Sequence, residues 1–406
     1  MKPPLLYLCH RIPYPPNKGD KIRSFHLLKD LNEHYEVYLG AFIDDPKDWE
    51  YVPKVNDLCR ASCFLPLDAS RAKLKSLIAL PLGDPLTLPY YQNRKMSQWV
   101  DQVVTQHKIE RAIVYSSAMA QYITDKHPAL NRKVIDFVDI DSDKWRQYSQ
   151  KKSWPLSWVY QREADKLFAY EKKVVSEFDA SLFVSSAEAA LFCTMTSSHH
   201  ERIAYYNNGV DTEYFLPSAE FTNPYPDDRD VLVFTGAMDY WPNIDAVNWF
   251  VDDVLPSLLR RSPNIYLYIV GSNPSDRVRR LGNQPHVEVT GRVEDIRPYI
   301  QYARMSVAPM RVARGIQNKV LEAMAMEKVV IVTPQGFEGI HAIPGTEMLL
   351  VENAQEMINT IPEVLEGDYK EMGKAARSRV QSDFSWEENL PIVRECLETG
   401  KGNYDR

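Results

Sequence analysis

At 406 residues, with 44% hydrophobic and 25% charged residues, the chain is too long for one ordinary core and predicts two domains of about 200 residues each. No apolar run approaches the roughly 18 residues of a transmembrane helix. A strand beginning at Leu5 leaves no room for a signal peptide ahead of it, and five scattered cysteines fit reduced cytoplasmic thiols better than a disulfide framework. The net charge of −7 is uneven: residues 1–208 carry 28 Lys+Arg against 25 Asp+Glu (+3), and residues 209–406 carry 20 against 30 (−10). A first half so slightly basic argues against a nucleic-acid partner.

The first strand, Leu5 to Cys9, runs into a proline-stiffened loop ending Lys18-Gly19-Asp20. A helix over Lys21 to Asn32 follows. Strand, glycine-bearing loop and helix open an α/β unit whose ligand is expected beyond the strand's C-terminal end. Lys18 and Gly19 are candidates for phosphate contact there, with Arg23 in the next turn. Further strands are expected at Val37 to Phe42, Ala61 to Leu65 and Ile109 to Tyr115. Arg71 to Leu82 is a basic amphipathic segment, with Arg71, Lys73 and Lys75 beside Leu74, Leu77 and Ile78. It suits either an anionic membrane surface or packing on its own domain. The strand from Val134 runs into Asp139-Ile140-Asp141, a spacing that also occurs in metal-diphosphate sites. From Lys144 to Val175 the chain is helical and mixes Trp145, Tyr148, Trp154, Trp158 and Tyr160 with basic residues, a composition fit for a lipid headgroup zone or for interdomain packing. Leu182 to Ser185 begins the strand that ends the first domain. Asn207-Asn208-Gly209-Val210-Asp211 and the proline-rich stretch to Asp228 make the connection.

The second half repeats the alternation. Val231 to Phe234 leads to Thr235-Gly236-Ala237, without the G-x-G-x-x-G of a nicotinamide site. Strands at Tyr266 to Val270 and Val287 to Thr290 end at Gly271 and at Gly291-Arg292-Val293. After Met305 to Pro309 comes the most informative stretch, Arg311 to Pro334: a turn at Ala313-Arg314-Gly315, a helix over Ile316 to Met326, and a strand from Val329. Gly315, Lys319 and Glu322 fall near one side of that helix. A helix N-terminus with a bare glycine and a lysine in its first turn can cradle phosphate, and a carboxylate one turn deeper can accept from ribose hydroxyls. Lys319 and Glu322 read equally well as a solvated pair on an amphipathic helix. Ser385 and Glu388 form a capping box that opens a final helix.

Gly315 to Glu322 and the following Glu322-Ala323-Met324-Ala325 resemble the donor-binding helix of the family-four retaining glycosyltransferases. The variant Gly-Ile-Gln-Asn-Lys-Val-Leu-Glu is similar to that of sugar transferases associated with exosortase (PEP-CTERM) exopolysaccharide loci. The chain departs from the family at Arg314, where a first glutamate is usual, and at Val138-Asp139, where a histidine is usual. The resemblance implies an α/β chain of the GT-B fold, with two Rossmann-like doubly wound domains facing across a cleft. It implies an acceptor-side domain at 1–208, a donor domain at 209–384, and a C-terminal helix at about 385–406 packing back on the first. It implies retaining transfer of a sugar from a nucleotide-sugar donor to a glycan or lipid-linked acceptor, by front-face substitution and with no metal or other cofactor. Lys319 and Glu322 would act on the donor and Asp139 on the acceptor side. Lys18, Gly19, Gly236, Arg292, Val293, Arg314, Gly315, Ile316 and Asn318 would line the donor site. A cytoplasmic place, with peripheral contact to the inner membrane face, follows from the same reading. A nucleotide-sugar epimerase or hydrolase, or a non-catalytic nucleotide-sugar-binding subunit, would fit the same residues.

Overall fold

The computed structural model describes residues 2–16, 19–123, 127–150, 152–196, 200–313 and 315–402. The chain forms two compact units: Met1–Asn207 together with Asn389–Arg406, and Asn208–Glu388.

Unit 1 is built on β1 (Pro4–Cys9), β2 (Glu36–Ile43), β3 (Ala61–Pro66), β4 (Arg111–Tyr115), β5 (Arg132–Val138), β6 (Ala180–Phe183) and β7 (Ile203–Tyr205). They pair in the order β3-β2-β1-β4-β5-β6-β7, all parallel. The chain therefore winds outward from β1 to β3, returns to β4 beside β1, and winds the other way, which is the doubly wound order. Leu5 to Cys9 and Ala112 to Tyr115 are buried throughout. Both faces of these central strands are covered, so their sequence is continuously apolar rather than alternating.

Four helices of this unit matter below: α1 (Gly19–His34), α2 (Ala69–Ser76), α3 (Asp141–Gln150) and α4 (Leu156–Glu177). The long helical region expected from Lys144 is two helices. The basic segment expected from Arg71 to Leu82 is likewise divided, between α2 and a single turn at Ala79–Leu82.

Arg23 requires a correction. It does not face a ligand beside Gly19 but is fully buried, because it lies on the same inward stripe of α1 as Leu27 and Leu31. Its Nε and Nη2 donate to Asp136 at 2.8 and 3.3 Å, and its Nη1 donates to the Tyr206 carbonyl at 3.0 Å. The guanidinium stacks 3.4 Å from the Tyr206 ring centroid, and the Tyr206 hydroxyl donates to Asp136. Five N–H donors in a plane let one buried side chain tie the helix, the strand and the chain after β7 together.

Unit 2 repeats the design with β8 (Asp230–Thr235), β9 (Ile265–Val270), β10 (Val287–Gly291), β11 (Met305–Ala308), β12 (Val330–Val332) and β13 (Leu349–Leu350). Their order is β10-β9-β8-β11-β12-β13, again all parallel. Its site helices are α5 (Trp241–Trp249) and α6 (Asn318–Ala325).

The final helix also departs from expectation. Ser385 Oγ accepts from the Glu388 N–H at 3.3 Å, but the helix it caps ends at Asn389. Pro391, with no N–H to give, restarts the chain as α7 (Pro391–Thr399). This helix is fastened within unit 1 by Arg394 to Asp30, and by Glu398 accepting from Tyr35 Oη at 2.7 Å and Arg111 Nη2 at 2.9 Å. Among the described residues no helix is long and apolar enough to cross a membrane.

Candidate functional site

In a doubly wound sheet, ligands bind outside the C-terminal strand ends where the winding reverses. In unit 2 that place is between β8 and β11. The strand ends there carry almost no side-chain bulk. Gly236, Gly271 and Gly291 end β8, β9 and β10 with φ of +148°, +156° and +69°. The Gly236 N–H donates to the Val270 carbonyl, and the Gly271 N–H to the Gly291 carbonyl, both at 3.1 Å. A Cβ added to Gly271 would lie 1.7 Å from the Gly236 oxygen, so only glycine fits.

Lys319 lies against this glycine floor. A Cβ on Gly236 would lie 3.5 Å from Lys319 Cε and 2.8 Å from Asn243 Nδ2. Asn243, on α5, donates from Nδ2 to the Ala237 carbonyl at 2.9 Å and accepts from Lys319 Nζ. The ammonium is otherwise flanked by Met310 Sδ at 3.8 Å and by the Phe234 ring, whose centroid is 4.7 Å away. Thr333 Oγ1 donates to the Met310 carbonyl at 2.5 Å and holds that end of β11. Burial in this setting pushes the Lys319 ammonium down to about 7, against the pull of Glu322. Burial pushes the Glu322 carboxyl up to about 7, against the pull of Lys319. The pair therefore titrates together near neutrality, and an anion placed beside Lys319 would restore its charge. A solvated surface pair would show neither displacement.

The helix bearing them starts two residues later than its sequence predicts. Gly315 is left-handed at φ +67° and Gln317 is extended, so Ile316 stays outside the helix and α6 begins at Asn318. The Ile316 side chain packs on the cluster that includes Val320, Met324 and Ile340. Asn318 occupies the first helical position, and its Oδ1 is buried without a hydrogen-bond partner among the described residues. Arg292 is exposed, and Val293 packs against the Tyr225–Tyr268 cluster after β10, two strands from Gly236. Arg314 and Lys18 lie outside the described residues. The structure thus brings Gly236, Lys319 and the unforeseen Asn243 together. Asn243 carries no local signal in the sequence, because its role depends on the close approach of two elements.

Unit 1 has its own polar rim at the corresponding strand ends. Gly19 opens α1 and is exposed. His10, just after β1, stacks parallel to Tyr115 at 5.8 Å, with its Nε2 3.6 Å from Asp20. Arg11 pairs with Asp20 at 2.6 Å and with Asp44 at 2.8 Å. Burial opposes ionisation of Asp20, but His10 and Arg11 hold its carboxyl well below the usual range.

β5 ends in strain. Val138 has φ +68°, and the Asp139 N–H closes a three-residue turn onto the Phe137 carbonyl at 3.0 Å. A β-branched residue in that region is an outlier. It is held there by Asp136 Oδ1, which accepts from the Val138 N–H at 3.0 Å. The turn presents Asp139, whose carboxylate meets Lys144 Nζ at 2.7 Å, while Asp141 lies 3.6 Å from the same ammonium.

Residues 229–367 match the family described as Glycosyl transferases group 1. No curated protein matches the chain. Among solved structures the chain is similar to a sucrose-phosphate synthase from Thermosynechococcus elongatus, at 20% identity and TM-score 0.70, covering 98% of both chains. It is similar to HepE of Anabaena in complex with UDP, at 15% identity and TM-score 0.68, covering 98% of this chain and 100% of that one. It is also similar to WaaG, a glycosyltransferase involved in lipopolysaccharide biosynthesis, at 15% identity and TM-score 0.65, covering 97% and 99%. Two Rossmann-like α/β domains with parallel sheets, matching GT-B glycosyltransferase structures, are the fold of this chain.

Proposed function

We propose that the chain is a retaining glycosyltransferase that moves a sugar from a nucleotide-sugar donor to a glycan or lipid-linked acceptor in exopolysaccharide biosynthesis of the exosortase-associated type. The observation that carries this reading is Lys319, held by Asn243 against the Gly236 floor inside the segment that matches the Glycosyl transferases group 1 family. UDP and UDP-glucose complexes of the similar HepE support a nucleotide-sugar donor. The chemistry is stabilisation of a leaving group: negative charge builds on the diphosphate as the glycosidic bond breaks. Lys319 and the backbone N–H groups at the start of α6 would meet that charge with donors already in place. Within unit 1, Gly19 is proposed for phosphate contact and Asp139 for the acceptor. A lipid-linked acceptor would place the work at the cytoplasmic face of the inner membrane.

Screening nucleoside diphosphates by thermal shift, followed by donor hydrolysis and acceptor-dependent turnover, tests the reading. Turnover only in the presence of an acceptor separates transfer from epimerisation or hydrolysis, and binding without any turnover marks a non-catalytic subunit.

Glu322→Gln should weaken nucleoside diphosphate binding by about 1.5–3 kcal/mol, the range for a hydrogen bond to a charged group. Because the Glu322 pKa is raised to about 7, the difference should be full at pH 8, where the carboxylate is ionised. It should shrink as the pH falls through 7 and the group protonates. Equal affinity of the two proteins at pH 8, measured by calorimetry, would remove Glu322 from the donor site.

Transfer should also survive a chelator. Asp139 and Asp141, the acidic spacing that suggests a metal site, share the Lys144 ammonium instead. Activity lost in EDTA and regained with manganese or magnesium would refute metal independence.

A further inference from the structure

One face of unit 1 is built inside out. Along α2 and the turn after it, Ala72, Ser76 and Ala79 are buried while Leu74, Leu77 and Ile78 stand 72%, 49% and 61% exposed. The first turn of α4 likewise leaves Leu156 and Trp158 50% and 57% exposed, whereas the rest of the helix buries Leu167, Val174 and Val175 together with Glu163 and Glu171. Both carboxylates are fully employed inside. Glu163 accepts from the Leu86 and Thr87 N–H groups at 2.6 and 3.0 Å, and Glu171 from the Ser142 N–H at 3.1 Å and its hydroxyl at 2.5 Å. Trp154, between α3 and α4, is 80% exposed. A helix facing only water would carry its large apolar residues inward.

The two faces adjoin. Arg162, one turn after Trp158, donates to the carbonyls of Ala79, Leu80 and Asp84 at 2.9, 3.0 and 3.1 Å. This ties the segment directly after Leu77 and Ile78 to the first turns of α4. Charge is the second observation. Residues 69–83 contain three basic and no acidic residues, Arg71 pairing with Asp68 just before them. Between residues 144 and 162, Lys144 and Arg146 are paired with Asp139, Asp141 and Asp143 and Arg162 is taken up by carbonyls, which leaves Lys152 exposed to solvent.

We propose that this face docks on an anionic phospholipid bilayer. The indoles of Trp154 and Trp158, with Leu77 and Ile78, enter the boundary between headgroups and acyl chains, where an amphipathic ring is at home. Arg71, Lys73 and Lys152 meet the lipid phosphates. A two-fold contact with a second copy is disfavoured, since it would set the basic residues of this face against each other. The surface lies wholly in unit 1, so vesicle binding and the donor-site reading succeed or fail separately.

The test is flotation of the full chain with phosphatidylcholine vesicles with and without phosphatidylglycerol, read together with tryptophan fluorescence quenching by brominated lipid. Binding should require phosphatidylglycerol, weaken with added salt, and bring quenching. Trp154→Ser with Trp158→Ser should lower partitioning by at least about tenfold, as expected for withdrawing two buried aromatic side chains. Arg71→Gln and Lys73→Gln, which leave the apolar residues in place, should each lower it by about fivefold. Trp49→Ser, an exposed tryptophan on another element, should change nothing. The proposal is overturned if the unmodified chain ignores anionic vesicles or if the double tryptophan variant and both charge variants bind as it does. It is also overturned if the tryptophan substitutions abolish self-association in a chain that never floats, which would assign the face to a second copy.

Discussion

Arg23→Ala should destabilise unit 1 by about 3–5 kcal/mol, the range for removing one partner of a buried ion pair. The size follows from what remains. Asp136 is fully buried and would keep its carboxylate with the Tyr206 hydroxyl and the Val138 N–H as donors but no countercharge. The Tyr206 and Phe183 carbonyls would lose a donor as well. Arg23→Lys should recover little, since an ammonium cannot make the forked contact or stack on the Tyr206 ring. Removing both charges, with Asp136→Ala added to Arg23→Ala, should cost less than the sum of the single changes, because no isolated charge is then left inside. Urea denaturation followed by tryptophan fluorescence gives all four values. A loss below about 1 kcal/mol for Arg23→Ala would mean that the buried pair contributes no more than a surface one. The consequence extends to the site, because Asp136 also holds the strained Val138 turn that presents Asp139. On the function proposed above, the buried arginine would therefore position the turn that carries Asp139 without itself meeting a ligand.

That role shows where reading the sequence stops. Continuous apolar runs gave the central strands of both sheets their places, since burial on both faces leaves a pattern that needs no partner to be recognised. β7 and β13, at three and two residues, are too short to show a period and went unread. Arg23 was misassigned because its position after a glycine-bearing loop is the same for a phosphate ligand and for an inward-facing residue. Only the stripe it shares with Leu27 and Leu31 decides between them, along with a buried carboxylate 113 positions later in the chain. Lys319 and Glu322 were legible as a pair on one helix face. Their displaced protonation was not, because it comes from burial, and the groups beside the Lys319 ammonium, Phe234 on β8 and Met310 just past β11, belong to other parts of the chain. Helix starts failed for local reasons. The left-handed Gly315 and extended Gln317 delay α6, and Pro391 splits the last helix, whereas propensity alone favours continuous helices in both places.

Lys319→Ala should lower turnover by ~10²–10³, the loss typical of removing one preorganised donor from developing negative charge, while weakening substrate binding much less. The structure adds a proton signature. In the free protein the Lys319 ammonium is pushed down to about 7, so at pH 8 most molecules hold the neutral amine. A bound diphosphate favours the charged form and draws a proton in. A group whose bound-state pKa exceeds its free value takes up protons on binding at pH values between the two, so binding at pH 8 should take up about one proton per site. Glu322 contributes little there, being already ionised at that pH before and after binding. Calorimetry of a nucleoside diphosphate in two buffers of different ionisation enthalpy measures the uptake, and Lys319→Ala should abolish it. Lys319→Arg should restore charge but not turnover, because a planar guanidinium cannot occupy the space of an ammonium between Asn243, Met310 and Phe234. Asn243→Ala, which removes the acceptor that aims the amine, should keep the proton uptake and lose part of the turnover. Full turnover in Lys319→Ala, with proton uptake unchanged, would place the leaving-group chemistry on another residue. The geometry argues otherwise: Lys319 lies against Gly236 at the glycine-ended strands, its ammonium pushed down to about 7, so an anion beside it draws it fully into the charged form, most strongly when that anion's charge is growing.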